Sequence, residues 1–253
     1  MKIIKFKKTS KDKYKLYLEN NSTIDLYEDV IIKNNLLITK ELDDDLILKI
    51  EKENNDISAY VSMLNYISIK MRSIKEAKEY LIKKGYNNTL INKVINRLIN
   101  EGYLNDELFA KAFISDALLI TNNGPLKIKK ELYNHNIDSN IIENYINLID
   151  YNIVEEKLTK LIEKQLKKKK DSANQIRLKL VTYFCNLGYE KNMILNILSN
   201  YEIKSDINKL QKDYDKLYKK YKDKYKEEKL NSFITQKLYL KGYSKEDIDN
   251  INT

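Results

Sequence analysis

The stretch from Ser73 to Phe113 reads SIKEAKEYLIKKGYNNTLINKVINRLINEGYLNDELFAKAF and decides the fold. Its apolar residues recur at helical spacing, as Ala77 and Leu81 do on the face of a first helix. Gly85 and Gly102 each come shortly after such a face. Glycine adopts the left-handed backbone that ends a helix more easily than other residues. The stretch therefore predicts three helices joined by two sharp corners.

Polar residues after each glycine are placed to start the next helix. Asn87 or Asn88 is expected to cap the second helix, and Asn105 the third. The apolar face of the second helix contains Leu90, Ile91, Val94, Ile95 and Leu98. Tyr103 and Leu104 lie between the second and third helices, and we predict that both are buried in the turn.

The same pattern recurs every 51 to 54 residues. The corner position is held by Gly85, Asn136, Gly188 and Gly242. Four residues before the corner stand Leu81, Leu132, Phe184 and Leu238. Eight residues before it stand Ala77, Ile128, Leu180 and Ile234. Directly after the corner stand Tyr86, Ile137, Tyr189 and Tyr243. Six residues after it stand Ile91, Ile142, Ile194 and Ile248. This agreement predicts tandem helical repeats.

We predict a mainly α protein with tandem three-helix repeats in an elongated curved array, preceded by a small N-terminal antiparallel β meander. The meander alternates β-branched and aromatic residues, with Asn20 and Asn21 in a tight turn. A short helix from about Glu28, an extended LLIT segment and a helix beginning at the aspartates of 43–45 follow. The predicted domains are 1–70 for the meander and lead-in helices, 71–121, 122–171 and 172–229 for three repeats, and 230–253 for a partial fourth.

Composition narrows the class of protein. The 253 residues are 42% hydrophobic, with one Pro and five Gly, which leaves little room for an all-β fold. No apolar run reaches the roughly 20 residues of a membrane span, and the N-terminus is too charged for a signal peptide. The single Cys185 sits at an apolar helix position, and we interpret it as a core residue. We expect a cytoplasmic, monomeric protein.

The basic residues concentrate at one junction between repeats. From Lys157 to Lys179, nine basic and two acidic residues give a local charge of +7, against +9 for the whole chain. Lys127 and Lys130 face outward on the first helix of the second repeat, where the first repeat has Glu76 and Glu79. The candidate contact residues are Lys127, Lys130, Lys164, Lys167, Lys168, Lys169, Lys170, Arg177 and Lys179. They predict contact with a polyanion or an acidic protein surface, and the alternative is a solvated helix end.

Other features favour structural roles. Tyr214, Leu217, Tyr218, Tyr221 and Tyr225 follow helical spacing beside lysines, which favours a packed helix over a base-stacking surface. The only histidine, His135, lies near a helix end and is interpreted as a capping or solvated residue. We find no clustered metal ligands, glycine-rich phosphate loop or nucleophile motif. The sequence therefore predicts no enzyme, no metal and no cofactor.

The corner and capping residues of these repeats resemble those of the RecX regulatory proteins. That family carries an Arg-Ser lead-in, a Lys-Gly-(Tyr/Phe) corner, a Gly-Tyr-Leu-(Asp/Asn)-Asp segment, a Phe-Ala pair and a Gly-Pro opening. Here these are Arg72-Ser73, Lys84-Gly85-Tyr86, Gly102-Tyr103-Leu104-Asn105-Asp106, Phe109-Ala110 and Gly124-Pro125. Ala77 stands where a larger aliphatic residue is common, and Asn105 replaces the usual Asp.

The resemblance implies a cytoplasmic modulator that binds the RecA recombinase filament. It implies a role in recombination, DNA repair and the SOS response, with inhibition of ATPase, strand-exchange and coprotease activities. Single- or double-stranded DNA stays open as a further partner. The alternative interpretation is a basic helical-repeat protein that binds DNA without a recombinase, since three-helix units are similar to helix-turn-helix modules.

Overall fold

The structure of the protein is a computed structural model that describes residues 1–250. Residues 251–253, the end of the predicted partial fourth repeat, lie outside the described residues. The chain divides into two compact units, of which the first ends at Phe109 and the second begins at Ala110. This division falls inside a helix that begins at Asp106.

The N-terminal meander is an antiparallel sheet in the order β1–β2–β3. The strands are β1 (Ile3–Ser10), β2 (Lys13–Leu18) and β3 (Thr23–Tyr27). The turn before β3 contains Asn21, whose φ is 64°, and the Asn20 side chain accepts a hydrogen bond from the Ser22 N–H at 3.0 Å. Asparagine tolerates this left-handed backbone better than most residues. The predicted meander and its asparagine turn are confirmed.

Two short helices follow the sheet. They are α1 (Glu28–Lys33) and α2 (Leu36–Thr39). The start of α1 is as predicted, but the prediction of an extended LLIT segment is wrong. Asn35 and Lys40 have left-handed backbones with φ of 52° and 49°, so the chain turns at both ends of α2 and buries Leu36. Burial decides the conformation here, because β propensity is a weak preference that packing overrides.

Helix α3 (Asp44–Ile67) begins where the aspartates predict it. The Asp43 carboxylate accepts a hydrogen bond from the Leu46 N–H at 2.7 Å, which caps the helix. The fully buried residues of α3 are Ile50, Ala59 and Met63. Ile50 packs with the sheet, whereas Ala59 and Met63 pack with the helices that follow. The helix therefore joins two buried clusters of the first compact unit.

The rest of the chain is helical. The helices are α4 (Ile74–Lys83), α5 (Asn88–Asn100), α6 (Asp106–Ile120), α7 (Pro125–Asn134), α8 (Ser139–Asn147), α9 (Tyr151–Leu166), α10 (Ala173–Asn186), α11 (Lys191–Ser199), α12 (Ile207–Tyr221), α13 (Glu227–Leu240) and α14 (Lys245–Asp249). Asn87 caps α5 by accepting from the Leu90 N–H at 2.9 Å, and Asn105 accepts from the Leu108 N–H at 3.0 Å before α6. Both predicted caps are confirmed.

The four corner residues share one backbone shape. We call Gly85, Asn136, Gly188 and Gly242 the first, second, third and fourth corners; their φ values are 85°, 59°, 85° and 88°. At each corner the N–H of the next residue donates to the carbonyl of the residue four before the corner, at 3.1–3.3 Å. This pairing satisfies carbonyls that a helix end leaves open. The corner prediction is confirmed at all four positions, including the asparagine.

The predicted core positions are buried at every corner. The residues four and eight before the corner all have 0% exposure: Ala77, Leu81, Ile128, Leu132, Leu180, Phe184, Ile234 and Leu238. The residues six after it, Ile91, Ile142, Ile194 and Ile248, are buried too. The turn after Gly102 differs from the prediction, because Leu104 is buried but Tyr103 is 58% exposed. Both N–H groups donate to the Leu98 carbonyl, and only the Leu104 side chain is buried in the core.

The buried clusters identify the helices that share each core. One cluster joins the end of α3 to α4 and α5, one joins α9, α10 and α11, and one joins α12, α13 and α14. Each of these cores combines the two helices that flank a corner with the helix before them. The predicted boundaries instead combine the two helices that flank a corner with the helix that follows them. A tandem repeat has no unique starting point, so self-similarity alone leaves this phase open.

The start of α7 lies against the third corner. The Gly124 N–H donates to the Leu187 carbonyl at 2.7 Å, and the Leu126 N–H donates to the Gly188 carbonyl at 3.0 Å. A Cβ on Gly124 would lie 2.6 Å from the Gly188 oxygen, and a Cβ on Gly188 would lie 2.3 Å from the Lys127 nitrogen. Neither distance leaves room for a side chain. The two backbones meet because both residues are glycine.

The start of α10 lies against the fourth corner in a related way. The fully buried Ser172 donates its hydroxyl proton to the Lys241 carbonyl at 2.7 Å. A Cβ on Gly242 would lie 2.9 Å from the Ser172 Oγ. The third and fourth corners therefore both serve as docking sites for the first turn of an earlier helix.

A buried carboxylate fastens α12 to the fourth corner. Asp213 accepts hydrogen bonds from the Lys241 ammonium at 2.8 Å, the Tyr243 hydroxyl at 3.0 Å and the Lys209 ammonium at 3.3 Å. Burial alone raises the pKa of Asp213, but the hydrogen bonds from Lys241 and Tyr243 outweigh it and hold the pKa below its usual value. Burial and the bond to Asp213 raise the pKa of Tyr243 well above its usual value.

Tyr189 stands at the third corner where Tyr243 stands at the fourth. Its buried hydroxyl has no hydrogen-bond partner among the described residues, and burial raises its pKa to about 12.

Replacing Gly188 with alanine is expected to destabilise the protein more than replacing Gly85. Both residues have φ of 85°, so a Cβ costs about 1–2 kcal/mol at either corner. At Gly188 the Cβ also meets the backbone of Lys127, which adds about 1–3 kcal/mol of overpacking. Urea unfolding followed by circular dichroism measures both variants. Equal losses of unfolding free energy would contradict the close docking of α7.

The two equivalent tyrosines are expected to respond in opposite ways to the loss of their hydroxyl groups. Tyr243→Phe removes a hydrogen bond to a buried carboxylate and should lower the free energy of unfolding by about 1.5–3 kcal/mol. Tyr189→Phe removes a buried hydroxyl without a described partner, so it should leave stability unchanged or raise it by up to about 1 kcal/mol. Thermal or urea unfolding of the pair tests this, and a matching loss in Tyr189→Phe would refute it.

Candidate functional site

Two of the nine candidate contact residues lie on α7. Lys127 is half-buried and Lys130 is exposed. Both line a shallow cleft together with Cys185 and Asn186 at the end of α10. The docking of α7 on the third corner places them there. We call Lys127 and Lys130 the α7 pair.

The other seven candidates lie where α9 leads into α10. Lys164 is in the last turn of α9, Lys167 caps its C-terminus, Lys168, Lys169 and Lys170 form the connection, and Arg177 and Lys179 lie on α10. All of them except Lys169 are exposed. We call these seven residues the junction group. Its lysines at the end of α9 also suit the negative end of the helix dipole.

The two groups lie toward opposite ends of α10. The α7 pair lies beside the C-terminal end of α10, whereas the junction group lies at and before its N-terminal half. Lys179, the last residue of the junction group, precedes Cys185 by six residues, which corresponds to about 9 Å along α10 at 1.5 Å per residue. We call the α7 pair and the junction group the two basic sites.

Part of the basic charge is used within the fold. Lys179 forms an ion pair with Asp171. Burial alone raises the pKa of Asp171, but the hydrogen bond from Lys179 outweighs it and the pKa is lowered. Lys157 is half-buried, and its ammonium donates to the carbonyls of Leu118 at 2.7 Å and Asn123 at 3.3 Å. Lys157 therefore caps the end of α6, where burial lowers its pKa. The exposed charge of the run is smaller than the sequence count.

The acidic residues at the equivalent positions of the first repeat are also partly structural. Glu76 closes a capping box with Ser73, in which each side chain accepts from the other residue's N–H at 3.2 and 3.1 Å. Glu79 pairs loosely with Lys75 at 3.9 Å. In the second repeat Gly124 has no side chain, so Lys127 has no capping box to join. Part of the sign change between the repeats reflects helix capping.

The aromatic residues of α12 divide between core and surface. Tyr214, Leu217 and Tyr221 pack against the buried cluster of α12–α14, as the packed-helix interpretation predicts. Tyr218 and Tyr225 are 43% and 41% exposed. Tyr225 lies beyond the end of α12, so the helical spacing does not hold through it. The packed-helix interpretation therefore applies to only part of this stretch.

The remaining sequence candidates are structural in their surroundings. Cys185 is half-buried and packs against the cluster of α9–α11. His135 is the C-cap of α7 and lies edge-on to Phe113 with ring centroids 5.3 Å apart. Within residues 1–250, no group of three or more His, Cys, Asp or Glu residues could hold a metal ion. No helix in that range is long and apolar enough to cross a membrane.

Comparison with known proteins identifies the family. The family model described as "RecX, first three-helix domain" matches residues 59–98, and that of "RecX, second three-helix domain" matches residues 105–146. The regulatory protein RecX of Streptococcus uberis is 30% identical over 99% of this chain and 98% of its own length. This chain belongs to the RecX family. The first RecX domain match begins on α3, in the phase of the buried cluster of α3–α5.

Solved RecX structures share the fold. The crystal structure of RecX from Lactobacillus salivarius is 28% identical, with a TM-score of 0.53 over 58% of this chain and 96% of that chain. The crystal structure of another regulatory protein RecX, at 20% identity, has a TM-score of 0.63 over 78% of this chain and 98% of that chain. The tandem three-helix domains predicted from the corners are therefore confirmed.

The RecX motif residues act as caps and corner residues. Ser73 caps α4, Asn105 caps α6, and Asp106 accepts a hydrogen bond from the Ile74 N–H at 2.8 Å. The Arg72 guanidinium stacks over the Tyr66 ring at 4.1 Å. These roles explain why the motif identifies the fold.

Sequence reasoning missed residues whose partners are far along the chain. Ser172, Asp213 and Lys157 bind groups 69, 30 and 39 residues away, at Lys241, Tyr243 and Leu118. A serine directly before a helix is a local signal for a cap, but it carries no information on the distant carbonyl. Asp213 lies in a lysine-rich stretch, and no sequence pattern there indicates a buried carboxylate.

Proposed function

We propose that this RecX protein binds the RecA recombinase filament and lowers its ATPase, strand-exchange and coprotease activities. The observation that carries the proposal is the match to the regulatory protein RecX of Streptococcus uberis over nearly the full length of both chains. We propose that it acts in the cytoplasm as a monomer and as a binding protein rather than an enzyme.

The two basic sites support binding to a polymer. A filament presents the same acidic edges, or the same nucleic-acid phosphates, at regular intervals. The α7 pair lies beside the end of α10, and the junction group extends from the end of α9 to Lys179 on α10, so both are able to engage one filament at once. When two weak sites bind one partner, the second binding step becomes intramolecular and the overall affinity rises. In this proposal each basic site needs only modest affinity.

The protein is expected to lower RecA-dependent ATP hydrolysis at substoichiometric amounts. A regulator bound along a filament affects several subunits, whereas a protein that only sequesters free DNA must match the DNA in amount. The test is RecA ATPase on single-stranded DNA across a concentration series, with the protein alone as the control for hydrolysis. Unchanged RecA activity with folded protein would remove this proposal. It would favour the alternative of a DNA-binding array without a recombinase partner.

Charge reversal at the basic sites is expected to weaken filament binding more than the same reversal at the meander. The test variant carries Lys130→Glu, Lys168→Glu and Arg177→Glu, and the matched control carries Lys5→Glu, Lys7→Glu and Lys11→Glu. All six side chains are exposed, so each change should alter stability by less than about 0.5 kcal/mol. Lys127 is left intact because it is half-buried, and Lys2 because it pairs with Glu41 at 3.4 Å.

Filament affinity of the two triple variants is compared at one salt concentration, after circular dichroism confirms that both are folded. Binding of the unmodified protein should also weaken as salt rises, since screening reduces exposed charge contacts. Equal losses in the two variants would mean that only total charge matters. The α7 pair and the junction group would then be ordinary solvated surface.

A further inference from the structure

The connection from α12 to α13 carries three aromatic rings in mutual contact. Tyr221, at the end of α12, lies edge-on to Phe233 of α13 with ring centroids 4.9 Å apart. Tyr225, in the connection, stacks on Phe233 at 5.0 Å with an angle of 26° between the rings. We call these three residues the aromatic corner. Its inner side is anchored, because Tyr221 packs against the buried cluster of α12–α14.

The outer side of the aromatic corner is open. Tyr225 is 41% exposed, and Tyr218, one helical turn before Tyr221, is 43% exposed and nearly parallel to Tyr214 at 6.2 Å. Each of these two residues contacts an aromatic neighbour within the fold and still leaves about two-fifths of its surface in solvent. These two rings are therefore available to a ligand with flat surfaces.

Lysine side chains surround these rings. The ammonium groups of Lys220 and Lys224 lie 5.3 and 5.9 Å from the centre of the Tyr221 ring, and that of Lys237 lies 5.2 Å from the centre of Phe233. Between residues 216 and 229 the chain has seven lysines and three carboxylates. None of these seven lysines forms an ion pair with a residue in the part of the chain that the structure describes. The charge is available to an anionic partner.

We propose that the aromatic corner and Tyr218 form a binding surface for single-stranded nucleic acid. Bases stack on the exposed faces of Tyr225 and Tyr218, and the lysines bind the phosphates. Stacking on aromatic side chains accepts every base, and it requires bases that are not already stacked in a duplex. The inference goes beyond the proposed function, because it needs no recombinase.

Stacking distinguishes this surface from the other basic sites. The junction group is able to bind phosphates as well, so salt-dependent DNA binding alone would not locate the contact. Loss of a stacking ring weakens binding without changing the number of phosphate contacts. Loss of a lysine both weakens binding and lowers the dependence on salt. The two kinds of substitution therefore give different signatures.

The experiment measures fluorescence anisotropy of a labelled thymidine oligonucleotide of about 15 nucleotides, close to the upper size of one single-strand site. Full-length Tyr225→Ala is expected to bind between about 5-fold and about 150-fold more weakly, with an unchanged salt slope. Tyr225→Phe keeps the ring and should bind within about twofold of the unmodified protein. Tyr103→Ala, an exposed tyrosine of the first compact unit, is the matched control and should bind normally.

A second variant with Lys220→Gln and Lys224→Gln should bind more weakly and show a lower salt slope. The inference is overturned if Tyr225→Ala binds the oligonucleotide as well as Tyr225→Phe does, or if the protein prefers duplex DNA. Reduced RecA binding by Tyr225→Ala with unchanged oligonucleotide binding would make the surface a protein interface instead. Because the oligonucleotide assay contains no RecA, its result is independent of whether the proposed filament function holds.

Discussion

The close contact between Gly124 and Gly188 is the constraint on which the arrangement of the second compact unit depends. Backbone hydrogen bonds of 2.7 and 3.0 Å join the start of α7 to the third corner, and neither glycine has room for a Cβ. One glycine gives the corner its left-handed backbone, while the other allows the approach. The Gly-Pro motif therefore has two physical causes, since Pro125 suits the first helical turn and Gly124 suits the docking.

The corners were predictable from sequence because their requirements are local. A left-handed residue after an apolar face, with an apolar residue next to it, is specified within about ten residues, and Asn136 shows that asparagine also meets the requirement. Docking was not predictable, because the partner of Gly124 lies 64 residues away at Gly188. Nor was the phase of the repeat, which depends on the helix that completes each core. The mistakes at Leu36 and Tyr103 have the same origin, since non-local packing decided which side chain was buried.

The candidate contact surface follows the same division between local and distant causes. Helical phase predicts the exposure of Lys130, whereas Lys168 and Lys170 are exposed in the connection after α9, where helical phase does not apply. Phase does not reveal that Lys157 faces the carbonyls at the end of α6, or that Lys179 faces Asp171. The number of basic residues alone overestimates the charge available to a partner, because a lysine that donates to the carbonyls at a helix end is already engaged within the fold. The placement of the α7 pair beside the end of α10 was equally beyond the sequence pattern.

The two ends of the last three-helix core show how one sequence pattern yields both a fold and a surface. At one end, the buried Asp213 carboxylate accepts hydrogen bonds from Lys241 and Tyr243, so its charge is paired within the fold. At the other end, Tyr221 anchors a ring cluster whose lysines have no described ion-pair partners. A buried aspartate is stable only when it is paired, which explains why these lysines and this tyrosine are structural. Exposed rings and lysines need no such partner, because they are stable in solvent. They therefore remain accessible to a ligand.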